Sequence, residues 1–300
     1  MATIAYRSIM VPLDGSAFAE QALPPAIAVA SHTGAALHLV QVEEEPPDPA
    51  IRRADRLADT QYPAVIAHRI AEETGIATTA ARLPGRTTET LKDYATQHGI
   101  DLVVIATHAL SGWSRLWHGS ITDSLIQALQ LPFLAIHPGE EGGEGTAKIE
   151  SIDHVLIPLD GSAAAESVID HALALGGEEL RVSLIQVIAA PLPNDPASVS
   201  FALTIDQETA EAESDEALAY LDGIAGRIAD RARRVDTAAI LETRPRDAIL
   251  EYAELNDVDL VAIATYGRGG ARRRDGLGSV AKDILRHAAV PVLVFRPPVA

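Results

Sequence analysis

Two Asp-Gly-Ser triplets, Asp14-Gly15-Ser16 and Asp160-Gly161-Ser162, each follow an apolar run that ends in Pro-Leu. Taken alone, the triplet is a strand-to-helix turn: glycine makes the bend, serine caps the helix and aspartate lies near the positive end of the helix dipole. Taken with its position beyond the end of a buried strand, the carboxylate is also a candidate ligand group. A second constellation follows a later apolar run, as ATHALSGWSRLWHGSITDSL from Ala106 and ATYGRGGARRRDGLGSVAKDIL from Ala264. A strand, a glycine-bearing loop and a helix that opens with Gly-Ser present outward-facing N–H groups and a partial positive charge, which suits phosphate. The later loop is the richer cradle, with Gly267, Gly269, Gly270, Gly276 and Gly278 beside Arg268, Arg272, Arg273 and Arg274. Arginine can grip phosphate oxygens in pairs, although a solvated arginine loop that balances local acid fits the same residues.

These features come in pairs because the chain is written twice. SIMVPLDGSAFAEQAL from Ser8 recurs as HVLIPLDGSAAAESVI from His154, at an offset of 146 residues. GIDLVVIATHA recurs as DVDLVAIATYG at an offset of 158, and GSITDSLIQALQLPFLAIHP as GSVAKDILRHAAVPVLVFRP at 159. The second copy therefore carries 12 extra residues in its middle and one more before its second Gly-Ser. Between the copies, Pro138–Ala147 reads as a polar Gly-Glu linker of roughly 15 Å reach. The expected domains are residues 1–140 and 148–300.

The elements that position these groups are legible in outline. Ser8–Leu13, Ala36–Val42, Leu102–Ala106 and Phe133–Ile136 are short runs rich in β-branched residues and leucine, and helical patterns alternate with them. Near-continuous apolar strands alternating with helices predict a parallel sheet covered on both faces, and ligands in such sheets bind beyond the carboxyl ends of the strands, near a topological switch point.

Composition narrows the chemistry. Among 300 residues, 24 Lys and Arg face 42 Asp and Glu, a net charge of −18 that opposes binding to nucleic acid or an anionic membrane. The absence of cysteine removes disulfides, thiolate metal sites and cysteine nucleophiles. The start lacks a leader pattern and no apolar run is long enough to span a bilayer, so the expected compartment is the cytoplasm. His108 and His118 share a loop without a third ligand, so no metal site is expected. No G-x-S-x-G, H-E-x-x-H or Walker-type sequence occurs.

The V-P-L-D-G-S strand end, together with a glycine pattern approximating G-x2-G-x9-G-[ST], resembles the universal stress protein family, here as a tandem pair. The resemblance implies two Rossmann-like α/β domains of flavodoxin-like strand order. Each would be a five-stranded parallel sheet with helices on both faces, and an internal pseudo-twofold would relate the two. It also implies binding of ATP, ADP or AMP, with Mg as a companion ion, and no dedicated catalytic residues. In the second copy, Pro158, Asp160 and Val187 would hold the adenosine end, and Ala264, Gly267, Arg268, Gly278, Ser279 and Val280 the ribose and phosphates. Pro12, Asp14, Val42, Ala106, Ala109, Gly119 and Ser120 are the weaker counterparts in the first copy. Dimerisation through the last strand of the domain is common in the family, which implies intramolecular pairing of the copies, with a homodimer through another face as a further option.

The departures rank the two sites. Ala106 and Ala109 replace the first two glycines of copy one, and Trp113 and Trp117 crowd its loop. Copy two keeps Gly267, replaces the first glycine with Ala264, and has ten residues rather than nine before Gly278. A lost glycine is harder to absorb than an extra loop residue, so copy two is the expected site. The segment after Val187, beginning PLPNDP, either closes over that site or is a longer surface loop. The competing readings are an interaction scaffold that has lost nucleotide binding, and an enzyme that hydrolyses ATP or adenylylates a substrate. An adenylylating enzyme on this frame would resemble the ATP pyrophosphatases, which carry an S-G-G-x-D-S loop after the first strand, and Asp-Gly-Ser-Ala does not match it.

Overall fold

The structure is a computed structural model that describes residues 4–43, 61–107, 120–137, 151–177, 179–188, 199–267 and 277–297, with the side chains of 120–123 and 199–208 left out. It divides into two compact units, Met1–Ser151 and Ile152–Ala300. The linker Pro138–Ala147, the loop that holds His108, Ala109, Trp113, Trp117, His118 and Gly119, the segment from Pro191, and the arginine loop with Arg268 lie outside the described residues.

Unit 1 runs β1 (Ser8–Leu13), α1 (Ala17–Glu20), α2 (Leu23–Thr33), β2 (Ala36–Glu43), α3 (Tyr62–Thr74), β3 (Thr78–Pro84), α4 (Thr87–His98), β4 (Leu102–Ala106), α5 (Ser120–Ala128) and β5 (Phe133–Ile136). Unit 2 runs β6 (His154–Pro158), α6 (Ala163–Glu166), α7 (Ile169–Leu173), β7 (Arg181–Ile188), α8 (Val199–Ile228), β8 (Arg234–Leu241), α9 (Pro245–Leu255), β9 (Leu260–Ala264), α10 (Ser279–His287) and β10 (Val292–Phe295). Part of the extra length of the second copy goes into α8, whose 30 residues compare with 13 in α3.

Within unit 1 the strands lie in the order β3-β2-β1-β4-β5, and within unit 2 in the corresponding order β8-β7-β6-β9-β10. The strand pairs inside each unit are parallel. This corrects the expected flavodoxin-like order, which would insert the third strand between the first and the fourth. The reason lies in the third strand itself. TTAARLP of β3 is half-exposed and carries Arg82 and Pro84, so it suits an edge and not a centre covered on both faces. The arrangement is the Rossmann order, and its switch point falls between β1 and β4, and between β6 and β9.

The core sits on the central strands. Ile9, Met10, Val11, Leu102, Val103 and Val104 in unit 1, and Val155, Leu156, Ile157, Leu260, Val261 and Ala262 in unit 2, are all 0% exposed. Each buried Val, Leu, Ile or Met contributes about 1.5–3 kcal/mol over its exposed state. A buried imidazole in each unit is hydrogen-bonded. In unit 1, His38 on β2 has its Nδ1 3.1 Å from the Tyr94 hydroxyl and 3.2 Å from that of Thr79. In unit 2 the corresponding position on the second strand is Ser183, and the imidazole comes instead from His154 on β6, with Nε2 2.8 Å from Ser183 Oγ. The Tyr252 hydroxyl lies 3.3 Å from the same Oγ.

The start of each first strand is clamped from the loop before the fourth. The Asp101 carboxylate accepts from the N–H groups of Arg7 (2.8 Å) and Ser8 (3.1 Å). Asp259 accepts from those of Asp153 (3.0 Å) and His154 (2.8 Å). Asp259→Ala leaves both N–H groups without this acceptor. It should lower unfolding stability by about 1–3 kcal/mol, read as a fall in urea midpoint at unchanged slope.

Candidate functional site

A proline stands in each first strand beyond the last pair that strand makes with the fourth. Ser8 O accepts from Asp101 N on the β4 side, while Arg7 O accepts from Ala36 N on the β2 side. Backbone groups alternate along a strand, so the nitrogen of Pro12 faces β4, and that of Pro158 faces β9. Neither can donate. The pairing of β1 with β4 runs through Ile9↔Leu102 and Met10↔Val103, and that of β6 with β9 through Val155↔Leu260 and Leu156↔Val261. Beyond these pairs the two central strands part, and the candidate residues gather around the gap.

In unit 2 the carboxylate is fixed from both sides. Gly161, at φ +80°, takes the left-handed turn that brings Ser162 back to Asp160. Asp160 Oδ1 accepts from Ser162 N (3.0 Å) and Ser162 Oγ (2.6 Å). Ser162 Oγ in turn accepts from Ala165 N at 3.1 Å and caps α6. The turn expected from the sequence is therefore present, and the same hydrogen bonds orient the carboxylate. Its other oxygen, Oδ2, would lie 1.9 Å from a Cβ placed on Gly267. That position, at the end of the fourth strand, is thus open only to glycine while Asp160 keeps its place.

Gly278 is the N-cap of α10, and no side chain caps that helix. Its N–H donates to Thr265 O at 2.6 Å, which ties the helix start to the end of β9, and a Cβ on it would lie 3.0 Å from the same carbonyl. The N–H groups of the first turn, from Ser279 and Val280 onward, are left at the positive end of the helix dipole. Pro158 and Val187 are half-buried at the ends of β6 and β7, and Ala264 is buried at the end of β9. The structure thus brings Asp160 and Gly267 into contact and ties Gly278, at the head of α10, to the β9 end beside them.

Two participants carry no motif. Thr265 is 1% exposed, and its Oγ1 has no hydrogen-bond partner among the described residues. Its recurrence as Thr107 at the end of β4 was the available signal, and there the hydroxyl lies 3.4 Å from Ile136 O. Tyr220 on α8 donates to Glu166 Oε1 at 3.1 Å, and Arg227 donates to Glu166 Oε2 at 2.6 Å. Burial, then the Glu166 carboxylate and more weakly Asp160, hold the Tyr220 phenol well above its ordinary pKa. Nothing in the local sequence marks that residue.

Unit 1 repeats the turn, and the counterpart of Gly267, Ala109, lies outside the described residues. Asp14 Oδ1 accepts from Ser16 N (2.9 Å) and Ser16 Oγ (2.6 Å), and Ser16 caps α1. Asp14 is exposed where Asp160 is half-buried. Pro12 is buried, Val42 half-buried, Ala106 buried, and Ser120 is the first residue of α5. Among the described residues, no group of three or more His, Asp or Glu is placed to hold a metal ion, and no helix is long and apolar enough to cross a membrane.

Two Rossmann-ordered units, each with a carboxylate turn at its switch point, define a tandem α/β protein. The chain belongs to the universal stress protein family, whose model matches residues 5–137 and 151–296. The family is one of stress-response proteins. A universal stress protein of Methanocaldococcus jannaschii is 32% identical over 146 residues, which cover 48% of this chain and 82% of that one. One of Mycolicibacterium smegmatis is 29% identical over 201 residues, 65% of this chain and 62% of its own length. A universal stress protein from Archaeoglobus fulgidus, 16% identical, shares the fold with a TM-score of 0.66, covering 97% of each chain.

The contact between Gly267 and Asp160 can be tested without ligand. A methyl group at 267 would drive the carboxylate off Ser162. Gly267→Ala should then cost about 1–3 kcal/mol in chemical denaturation. Asp160→Ala in the same chain should recover much of that loss, giving a favourable coupling in a double-mutant cycle.

Proposed function

We propose that the chain is an adenine-nucleotide-binding regulatory protein of the stress response, without a dedicated catalytic set, and that unit 2 holds the stronger site. The observation that carries this reading is the pairing of a pre-oriented Asp160, packed on Gly267, with the uncapped start of α10. Asp160, with Pro158 and Val187, takes the adenosine end, where a carboxylate fixed by Ser162 can accept from hydroxyl donors. Gly267, Gly278, Ser279 and Val280 take the phosphates on backbone N–H groups, with Ala264 at the strand end and Arg268 from the adjoining loop. Among these residues Asp160 is the one carboxylate, so Mg would be carried on the phosphates of ATP or ADP.

Unit 1 supports a second reading for its own crevice, an interaction surface without nucleotide. Asp14 is exposed, and alanine stands at 106 and 109 where the family pattern has glycine. Pairing of the two units through their last strands belongs to the same proposal. β5 and β10 each close the strand order of their own unit, and a five-stranded sheet leaves such a strand with one unpaired edge. An internal pseudo-twofold would satisfy both edges.

ATP, ADP and AMP should each raise the melting temperature. Ligand at a hundred times its Kd stabilises the fold by about 2.7 kcal/mol. Ser279→Glu places a negative charge at an exposed first-turn position, which favours the helix and repels phosphate. This variant should keep its stability without ligand and lose most of the shift with ATP. A shift unchanged in Ser279→Glu, or absent in the parent chain, overturns the assignment. Residues 1–140 and 148–300, expressed separately and mixed, should associate or each form homodimers in analytical ultracentrifugation. Two monomeric, non-interacting halves rule out the pairing.

A further inference from the structure

We propose that unit 1 carries a second binding site, for a small guanidinium or amine cation, in the cavity between β3 and α4. The cavity has a volume of about 590 Å3 and is open at the edge of the sheet. Its size suits a small organic ligand.

Its wall is an aromatic stack. The rings of Tyr94 and His98 lie 4.1 Å apart and 28° from parallel. Tyr94 is locked in place by His38, whose Nδ1 is 3.1 Å from the phenol oxygen and is shared with the Thr79 hydroxyl. Burial, and then the neighbouring His98, push the pKa of His38 down, so the inner imidazole is neutral at physiological pH. The aromatic wall is thus fixed before any ligand arrives.

Charge selects the ligand. No lysine or arginine lines the cavity, and its one carboxylate, Asp93, is exposed and has no ion-pair partner among the described residues. A phosphate or carboxylate would meet this group with no lysine or arginine to balance it. A guanidinium group can stack on the imidazole and donate two hydrogen bonds to the carboxylate. Leu83 and Pro84 on β3 receive the alkyl part, and Gln97 supplies an acceptor at the rim.

The corresponding positions of unit 2 show which residues specify the site. Glu251 and Tyr252 keep the carboxylate and the phenol, but Asn256 stands for His98, Leu255 for Gln97 and Ser183 for His38. The stacked ring is gone, so the cation site belongs to unit 1.

The test uses the full chain with butylguanidinium and its neutral isostere butylurea, followed by calorimetry and by histidine ring resonances. Butylguanidinium should bind in the sub-millimolar range, shift the His38 and His98 signals, and bind at least about tenfold more tightly than butylurea. Asp93→Asn, at an exposed position, should leave the melting temperature unchanged and bring the two probes to equal affinity. Binding should persist in saturating ATP, which separates this site from the unit 2 crevice. A capped peptide with one arginine identifies the source of the cation. Tighter binding than butylguanidinium points to a protein side chain, and equal or weaker binding to a free small molecule. No binding at millimolar concentration, equal affinity for the charged and neutral probes, or an unchanged preference in Asp93→Asn overturns the proposal.

Discussion

A missing hydrogen-bond donor organises the sites of this protein. Pro12 and Pro158 stand in the middle of their sheets, where the ladder toward the fourth strand would need an N–H that neither has. A proline is ordinarily excluded from a central strand. Here it lies where the pairing has already run out, so the loss costs no bond and keeps the two strands from closing further. The aspartate turn, the glycine at the end of the fourth strand and the head of the following helix all face that gap. The clamps from Asp101 and Asp259 hold the opposite ends of the same strand pairs together. Each central pair is therefore fastened at its start and parted at its finish.

On this shared frame the two units differ by a few side chains. The hydrogen bonds of the aspartate turn agree to within about a tenth of an ångström in both. The difference lies in the exposure of the carboxylate. Gly267 lets the end of β9 come against Asp160, whereas Asp14 stays open to solvent. Divergence along α4 and α9 runs the other way, with unit 1 keeping the polar aromatic set and unit 2 an exposed leucine at 255. A duplicated chain can in this way divide tasks between its halves without changing its fold.

Much of the fold was legible because its signals are local. The strands β1, β2, β4 and β5 announce themselves as continuous apolar runs, and the repeat fixes their counterparts. The edge strands β3 and β8 do not, since a strand covered on one side carries Thr, Ala and Arg and lacks the apolar run. That gap is also why the strand order was misread: a third strand unseen in the sequence offers no hint that it belongs outside. At the site, Asp160 and Gly267 were visible as types at a spacing, but their contact depends on how the loop after β6 folds toward the end of β9. Thr265 and Tyr220 escaped for the same reason, as their roles come from tertiary neighbours. The arginine loop, Arg268 included, lies outside the described residues.

The exchange of histidine and serine between the copies has an evolutionary corollary. In one half the imidazole stands on the second strand and Ser8 on the first, and in the other His154 stands on the first and Ser183 on the second. Either arrangement is satisfied, but a hybrid of the two is not. Gene conversion that copied only the first-strand codons of the second half over the first would place two imidazoles side by side, and the reverse copy would leave Ser183 with only the Tyr252 hydroxyl. Copying the first strand of one half onto the other is therefore costly unless the second strand is exchanged with it.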